Sequence, residues 1–278
     1  MNQNLQALAA AAVFFGIAAS LPNDSESAAA PAERAQQPAA ATALAPAARA
    51  VLSGVGIEKK AAPVEEMSEA ETALAAFAGS IRKQSHPDAL RLAFEAYYNY
   101  KAEHPNEVRK PYLYFVDYGL DSRTKRGYVF DMKRLRIVDG PFAVAHGRGS
   151  GAKYGVPTKF TNREGSATSS LGLFKAREVY AFTGHASGQV YRSVGLRLDG
   201  VSGRFNSAAR QRRVVVHGAP YVSETEAGRS EGCPAMDPKR ARKLIPTIGN
   251  GGMVFLFSPV DKTWLKSDPW VHRDAVNG

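Results

Sequence analysis

The chain holds a single cysteine, Cys233, and a histidine, His217, stands sixteen positions before it. Together these residue types can carry out nucleophilic acyl transfer. The thiolate is the reactive form of cysteine, and a free thiol has a pKa of roughly 8.5. A histidine within hydrogen-bond reach takes the thiol proton and later returns it to a leaving amine. Gly232, with no side chain, lets a substrate approach, and the backbone N–H groups of Gly232 and Cys233 can face a developing oxyanion. A plainer reading fits the same residues: a small buried hydrophobe at Cys233 and a structural strand-end residue at His217. Spacing alone leaves both open.

Either role needs elements that hold the pair. Val214–Val216 is a β-branched apolar run that predicts a short buried strand delivering His217 at its end. A polar loop follows and closes on Arg229-Ser230-Glu231-Gly232-Cys233-Pro234. Asp237 and Pro238 are suited to the N-cap and first position of a helix running through Leu244. Upstream, from residue 112 onward, alternating runs predict strands at 112–118, 128–132, 135–138, 142–146, 170–174, 178–182 and 194–198, with another at 253–257 near the end. Asp139-Gly140-Pro141 reads as the turn of a hairpin between two of them. Many short strands and few helices predict a mainly β domain, a sandwich or barrel.

On HGAPYV, GRSEGCPAMD, GLRLDG and FNSAAR, over roughly residues 111–259, the sequence resembles the L,D-transpeptidase (YkuD-type) catalytic domain family, and within it the murein L,D-transpeptidase-like branch. The family signature is a histidine, a loop, then Ser/Thr-His-Gly-Cys. This chain departs from it with Glu231 in place of the second histidine and with a slightly shorter loop between His217 and Ser230. The resemblance implies a β-sandwich- or barrel-like catalytic domain in which Cys233 is the nucleophile, His217 its base, and Ser230 and Gly232 members of the catalytic turn. The implied substrate is a peptidoglycan stem tetrapeptide, cut between diaminopimelate and D-alanine and passed to an amine as a 3–3 cross-link. Hydrolysis instead would make an L,D-carboxypeptidase, and loss of activity would leave a wall-binding module. Arg229 is expected to meet a substrate carboxylate or to pair with Glu231, whose carboxylate would otherwise raise the thiol pKa. Tyr221, within HGAPYV, and His185, in a loop after Gly184, complete the candidate substrate-binding set. No cofactor is implied.

The remaining sequence bounds the organisation. Residues 5–21 are apolar and uncharged, as in a secretory signal or an N-terminal membrane anchor, and an Ala/Pro-rich stretch to residue 66 reads as a disordered linker. A helical segment is expected over 67–105, started by a Ser68/Glu71 capping box and again near Asp88, ahead of a catalytic domain at 106–260 and a tail at 261–278. His86 and His104 read as surface loop residues. The formal charge of +10 suits anionic partners; export to the periplasm or beyond would leave the wall polymer rather than nucleic acid. Gly147-Arg148-Gly149-Ser150-Gly151 lacks the Lys-Ser/Thr ending of a phosphate loop and reads as a turn rimming the cleft. His146, His185, His217 and Cys233 are zinc-ligand types, but no pair has short metal-ligand spacing, and no metal is expected.

Overall fold

The computed structural model describes residues 67–271. The expected signal or anchor and the linker lie outside the described residues. Among the described residues no helix is long and apolar enough to cross a membrane.

Helix α1 (Glu69–Phe77) starts as its sequence dictates. The Ser68 side chain accepts from the Glu71 N–H at 3.2 Å, and the Glu71 carboxylate accepts from the Ser68 N–H at 2.8 Å. Such a box is worth about 1 kcal/mol. Its buried face, Ala70, Ala73 and Phe77, meets helix α2 (Ala89–Glu103). Phe77 packs on both Phe94 and Phe130, with ring centroids 5.5 and 4.9 Å away. Truncating Phe94, which is fully buried, would cost about 3–5 kcal/mol. Both helices share one hydrophobic core with the strands, so the helical segment is built into the same body as the sheet.

That sheet is mainly antiparallel, eight-stranded, and carries the order β3-β2-β1-β10-β5-β6-β7-β9. Its strands are β1 (Tyr112–Asp117), β2 (Gly127–Asp131), β3 (Arg136–Phe142), β5 (Gly172–Ala186), β6 (Gln189–Gly200), β7 (Val215–Gly218), β9 (Ala235–Met236) and β10 (Met253–Phe257). Strand β4 (His146–Gly147) pairs with β8 (Arg229–Ser230) as a separate parallel ribbon. β1 and β10 run parallel at the centre, and nearly every residue in both is buried, as a strand covered on two faces requires. The mainly β fold expected from the sequence is therefore present. The two ends of the sheet also meet. Past β3 at one edge, the Ala145 N–H donates to the carbonyl of Ala235, in β9 at the other edge, at 2.8 Å. This contact curls the sheet toward closure and sets β4 beside β8.

Two local readings change. Asp139-Gly140-Pro141 makes no hairpin; it stays inside β3, with a cis Gly140–Pro141 bond and a register shift against β2. Proline can sit there because β3 is an edge strand, where a missing N–H breaks no ladder. The runs at 170–174 and 178–182 are one long strand, β5, with an irregularity between Ala176 and Val179. It returns as β6 through Ser187-Gly188, both at positive φ (49° and 76°), as a two-residue hairpin demands.

The helix after the cysteine forms as read. In α3 (Pro238–Ile248), the Asp237 side chain accepts from the N–H groups of Lys239 and Arg240, and Pro238 occupies the first turn. Ala241, Leu244, Ile245 and Ile248 are buried beneath it. The region expected to be a tail contains α4 (Lys262–Ser267), pinned by a fully buried Trp264 whose Nε1 donates to Asp268 at 2.9 Å.

Candidate active site

Cys233 and His217 are brought together by strand register. His217 lies in β7, and its parallel partner in β9 is Ala235, two residues past Cys233. The two side chains line one cleft of about 310 Å³, which Ser230, Glu231, Arg229, Tyr221 and His185 also line. The candidates thus converge, with Gly232 within the turn that carries the thiol. A larger cavity of about 650 Å³, bordered by Tyr97, Tyr98, Lys101, Arg109 and Met132, contains neither cysteine nor histidine.

The turn around Cys233 is held by a serine. Ser230 Oγ accepts the Gly232 N–H at 3.1 Å and donates to the Cys233 carbonyl at 2.6 Å. Gly232 has φ of +121°, and a Cβ there would fall 2.7 Å from the Thr168 carbonyl oxygen, so only glycine fits. Its N–H, expected to face an oxyanion, is committed to Ser230 instead. Gly147 approaches from the other side: a Cβ on it would lie 2.8 Å from Gly232 Cα. The Gly147–Gly151 segment therefore packs against the cysteine turn, tied by the Arg148 N–H donating to the Ser230 carbonyl at 2.7 Å, and none of its residues lines the cleft itself.

His217 is almost fully buried, and its ring stacks on Phe182 with centroids 4.4 Å apart. Nδ1 lies 3.2 Å from the Gly218 carbonyl and 3.3 Å from the Tyr191 hydroxyl. A carbonyl only accepts, so Nδ1 carries the proton and Nε2 keeps the basic lone pair. Burial lowers the imidazole pKa to about 4. Burial likewise pushes the Cys233 thiol up to about 11, against smaller downward pulls from the Val215 backbone and the Arg212 cation; Glu231 adds a lesser upward push. Sγ donates to the Arg213 carbonyl at 3.9 Å. At neutral pH both members of the pair are therefore uncharged.

Two expectations about neighbours need correction. Glu231 does not pair with Arg229: its carboxylate accepts from Arg148 Nε at 2.6 Å, while Arg229 Nη1 donates to the Gly151 carbonyl at 3.2 Å. Parallel pairing of β4 with β8 puts Arg148 beside Glu231, a contact spanning 83 positions. His185 sits in strand β5 opposite Val190, not in a loop, although it is exposed and does line the cleft. His146 is fully buried, with Nδ1 3.0 Å from the Arg126 guanidinium and Nε2 3.0 Å from the Ala152 carbonyl. Both its nitrogens are thus occupied, and among the described residues no group of His, Cys, Asp and Glu is placed to hold a metal.

Phe182, Tyr191 and Arg212 escaped the sequence reading. The first two lie on the outer part of the β5–β6 hairpin, where only recognising the Ser187-Gly188 turn would have put their rings over His217. Arg212 sits in an Arg-Gln-Arg-Arg run with no local mark separating it from its neighbours.

The L,D-transpeptidase catalytic domain family matches residues 81–257. No curated protein matches by sequence. Among solved structures, an L,D-transpeptidase from Mycobacterium smegmatis is 16% identical, with 53% of this chain and 58% of that one covered and a TM-score of 0.33. An L,D-transpeptidase (Yku) from Stackebrandtia nassauensis is also 16% identical, covering 69% of this chain and 91% of that one, with a TM-score of 0.33. L,D-transpeptidase 3 from Mycobacterium tuberculosis, in complex with a faropenem-derived adduct, is 14% identical over 52% and 60% of the two chains, with a TM-score of 0.28. The chain spans somewhat over half the length of the Mycobacterium smegmatis protein.

Proposed function

Because the chain belongs to the L,D-transpeptidase catalytic domain family, we propose that it acts on peptidoglycan stem peptides through Cys233 as nucleophile and His217 as base. The observation that carries this reading is the shared cleft, in which the β7–β9 register sets His217 beside the only thiol in the chain. His217 Nε2 accepts the thiol proton as Sγ attacks the carbonyl carbon of the diaminopimelate–D-alanine bond. The tetrahedral intermediate places negative charge on the former carbonyl oxygen. With the Gly232 N–H engaged by Ser230, the Cys233 N–H is the donor of that turn left to meet the oxyanion. Collapse breaks the C–N bond, the leaving amine of D-alanine takes the proton from His217, and a thioester remains. An amine of a second stem attacks the thioester, gives its proton to His217 and restores the thiol, leaving a 3–3 cross-link. Water in place of the amine gives L,D-carboxypeptidase activity.

The pKa positions shape how the first step proceeds. With the thiol near 11 and the imidazole near 4, no thiolate–imidazolium pair is stored in the resting site. Proton transfer therefore accompanies attack, once a bound substrate has completed the cleft. Arg229 at the cleft supplies a guanidinium for a substrate carboxylate, and Tyr221 and His185 line the path of the stem. Such a substrate places the working protein outside the cytoplasm, periplasmic or secreted, and the apolar residues 5–21 suit that route whether cleaved or kept as a tether.

A neutral resting thiol is also what a wall-binding module that has lost activity would show, so this second reading stands beside the first. A carbapenem separates them. An acylating carbapenem adds its mass to the wild-type chain and none to Cys233→Ala if the cysteine is the nucleophile. A wild-type chain that stays unlabelled through prolonged incubation contradicts the catalytic reading.

A further inference from the structure

Arg212 stands behind the turn that carries the thiol, and its partners are all neutral. Nη1 donates to the Thr161 carbonyl at 2.8 Å and to Ser170 Oγ. Nη2 donates to the Thr168 carbonyl at 2.7 Å and to Ser166 Oγ at 3.3 Å. Among the described residues no carboxylate forms an ion pair with it, although the group is half-buried. An arginine desolvated in this way keeps a positive charge that the Glu164 carboxylate, beyond ion-pair distance, offsets only in part, and that charge favours any anion that forms nearby.

The segment Arg212 grips is the one that holds the nucleophile's turn. Ser169 lies between two of its partners; Ser169 Oγ donates to the Gly232 carbonyl at 3.2 Å and accepts the Gly147 N–H at 3.0 Å. A Cβ on Gly232 would sit 2.7 Å from the Thr168 carbonyl oxygen and 3.7 Å from Arg212 Nη2, so the guanidinium itself borders the turn. The next residue, Arg213, presents a carbonyl that accepts from Sγ at 3.9 Å. Arg212 thus joins three stretches: residues 161–170, the Gly232–Cys233 turn, and the approach to β7 and His217.

We infer that Arg212 is a positioning residue for the nucleophile: its planar fork fixes the wall against which the Gly232–Cys233 turn rests, and its charge faces the thiolate that forms there. Its electrostatic pull on the thiol, opposed by burial and by Glu231, has the sign this role requires. The inference rests on Cys233 being the nucleophile.

The test is the pH dependence of Cys233 alkylation by iodoacetamide, followed by intact mass between about pH 6 and 10. It is run on the full chain as wild type, Arg212→Gln and Arg212→Lys, each with a Tm. Besides Arg212, the groups facing the thiol are Glu231, His217 and four tyrosines (Tyr118, Tyr180, Tyr191 and Tyr221), all unchanged in these variants. Arg212→Gln should slow alkylation at pH 8 by about tenfold, equivalent to one unit of thiol pKa, and lower the Tm. Arg212→Lys keeps the charge but not the fork, so its profile should stay close to wild type while the Tm falls and acyl transfer slows through kcat. A profile for Arg212→Gln that superimposes on wild type overturns the inference. Should Arg212→Gln fail to fold, Arg212→Lys decides: an undisplaced profile with a lowered Tm and kcat supports the inference, whereas a profile displaced upward by about tenfold, or a Tm and kcat that both stay at wild type, overturns it. Iodoacetamide needs no stem peptide. A chain that alkylates as expected yet never turns over substrate therefore contradicts the proposed function and leaves the role of Arg212 standing.

Discussion

Ser230 and Cys233 are joined by a 2.6 Å hydrogen bond from the serine hydroxyl to the cysteine carbonyl, and the same hydroxyl accepts the Gly232 N–H. This serine thereby acts on the backbone of the Cys233 turn rather than on the thiol. It orients the Cys233 peptide and takes one candidate oxyanion donor out of service.

Ser230→Ala should therefore damage geometry more than charge. Two hydrogen bonds are lost and the buried Gly232 N–H is left unpaired, at a cost of about 1–3 kcal/mol. Thermal melting should show a clear drop, and kcat should fall with KM little changed, since no substrate contact is removed. A variant with wild-type Tm and wild-type kcat would show that the turn holds itself without the serine.

The partner of Glu231 sets a second prediction. Arg148, not Arg229, neutralises this carboxylate, and both partners are well exposed. Removing the cation frees a negative charge near the thiol, so Arg148→Ala should slow iodoacetamide alkylation of Cys233 modestly at a given pH, and Glu231→Gln should speed it. In the double variant the effect of Arg148→Ala should vanish. Arg229→Ala should leave the alkylation profile unchanged while raising KM for a stem peptide. Alkylation slowed equally by Arg229→Ala would mean that the pairing in solution differs from the one described.

Two buried histidines make stability depend on pH. Burial lowers His217 to about 4, and burial, then the Arg126 guanidinium, lowers His146 to about 4. A depressed histidine is neutral when folded and charged when unfolded between that value and its ordinary one of about 6.5. The unfolded chain then binds more protons, so the stabilisation is fully present above pH 6.5 and is lost as pH falls toward 4, by at most about 3 kcal/mol per group. For His146 the chemistry is explicit: Arg126 only donates, so Nδ1 must accept, and Nε2–H donates to Ala152. Urea midpoints of wild type should fall between pH 7 and 4, and His146→Asn, less stable at neutrality, should show a shallower slope. Parallel slopes would assign that pH dependence to other groups.

The features legible in the sequence were those whose cause is local. The Ser68–Glu71 box and the Asp237–Pro238 start each depend on residues within one helical turn. The Val214–Val216 run also announces its own strand. What stayed hidden depends on chain segments meeting. Arg229 and Glu231 are close in sequence, yet strand pairing hands Glu231 to Arg148. The long β5–β6 hairpin was read in fragments, because its outer half carries Thr183, His185, Gln189 and Arg192 and no longer alternates as a half-buried strand does. For the same reason the sequence suggests a loop at His185 and gives no sign that Phe182 and Tyr191 enclose His217. Asp139-Gly140-Pro141 has the composition of a turn, and only the edge position of β3 keeps it extended.

The central claim is that Cys233 forms a thioester with a stem peptide. The most direct test incubates the full chain with a disaccharide-tetrapeptide and follows protein mass and free D-alanine together. The account predicts that D-alanine appears, that the wild-type chain gains the mass of the disaccharide-tripeptide acyl group, and that Cys233→Ala does neither while melting close to wild type, since the residue is only partly buried. Release of D-alanine by Cys233→Ala at the wild-type rate would contradict the assignment of the nucleophile.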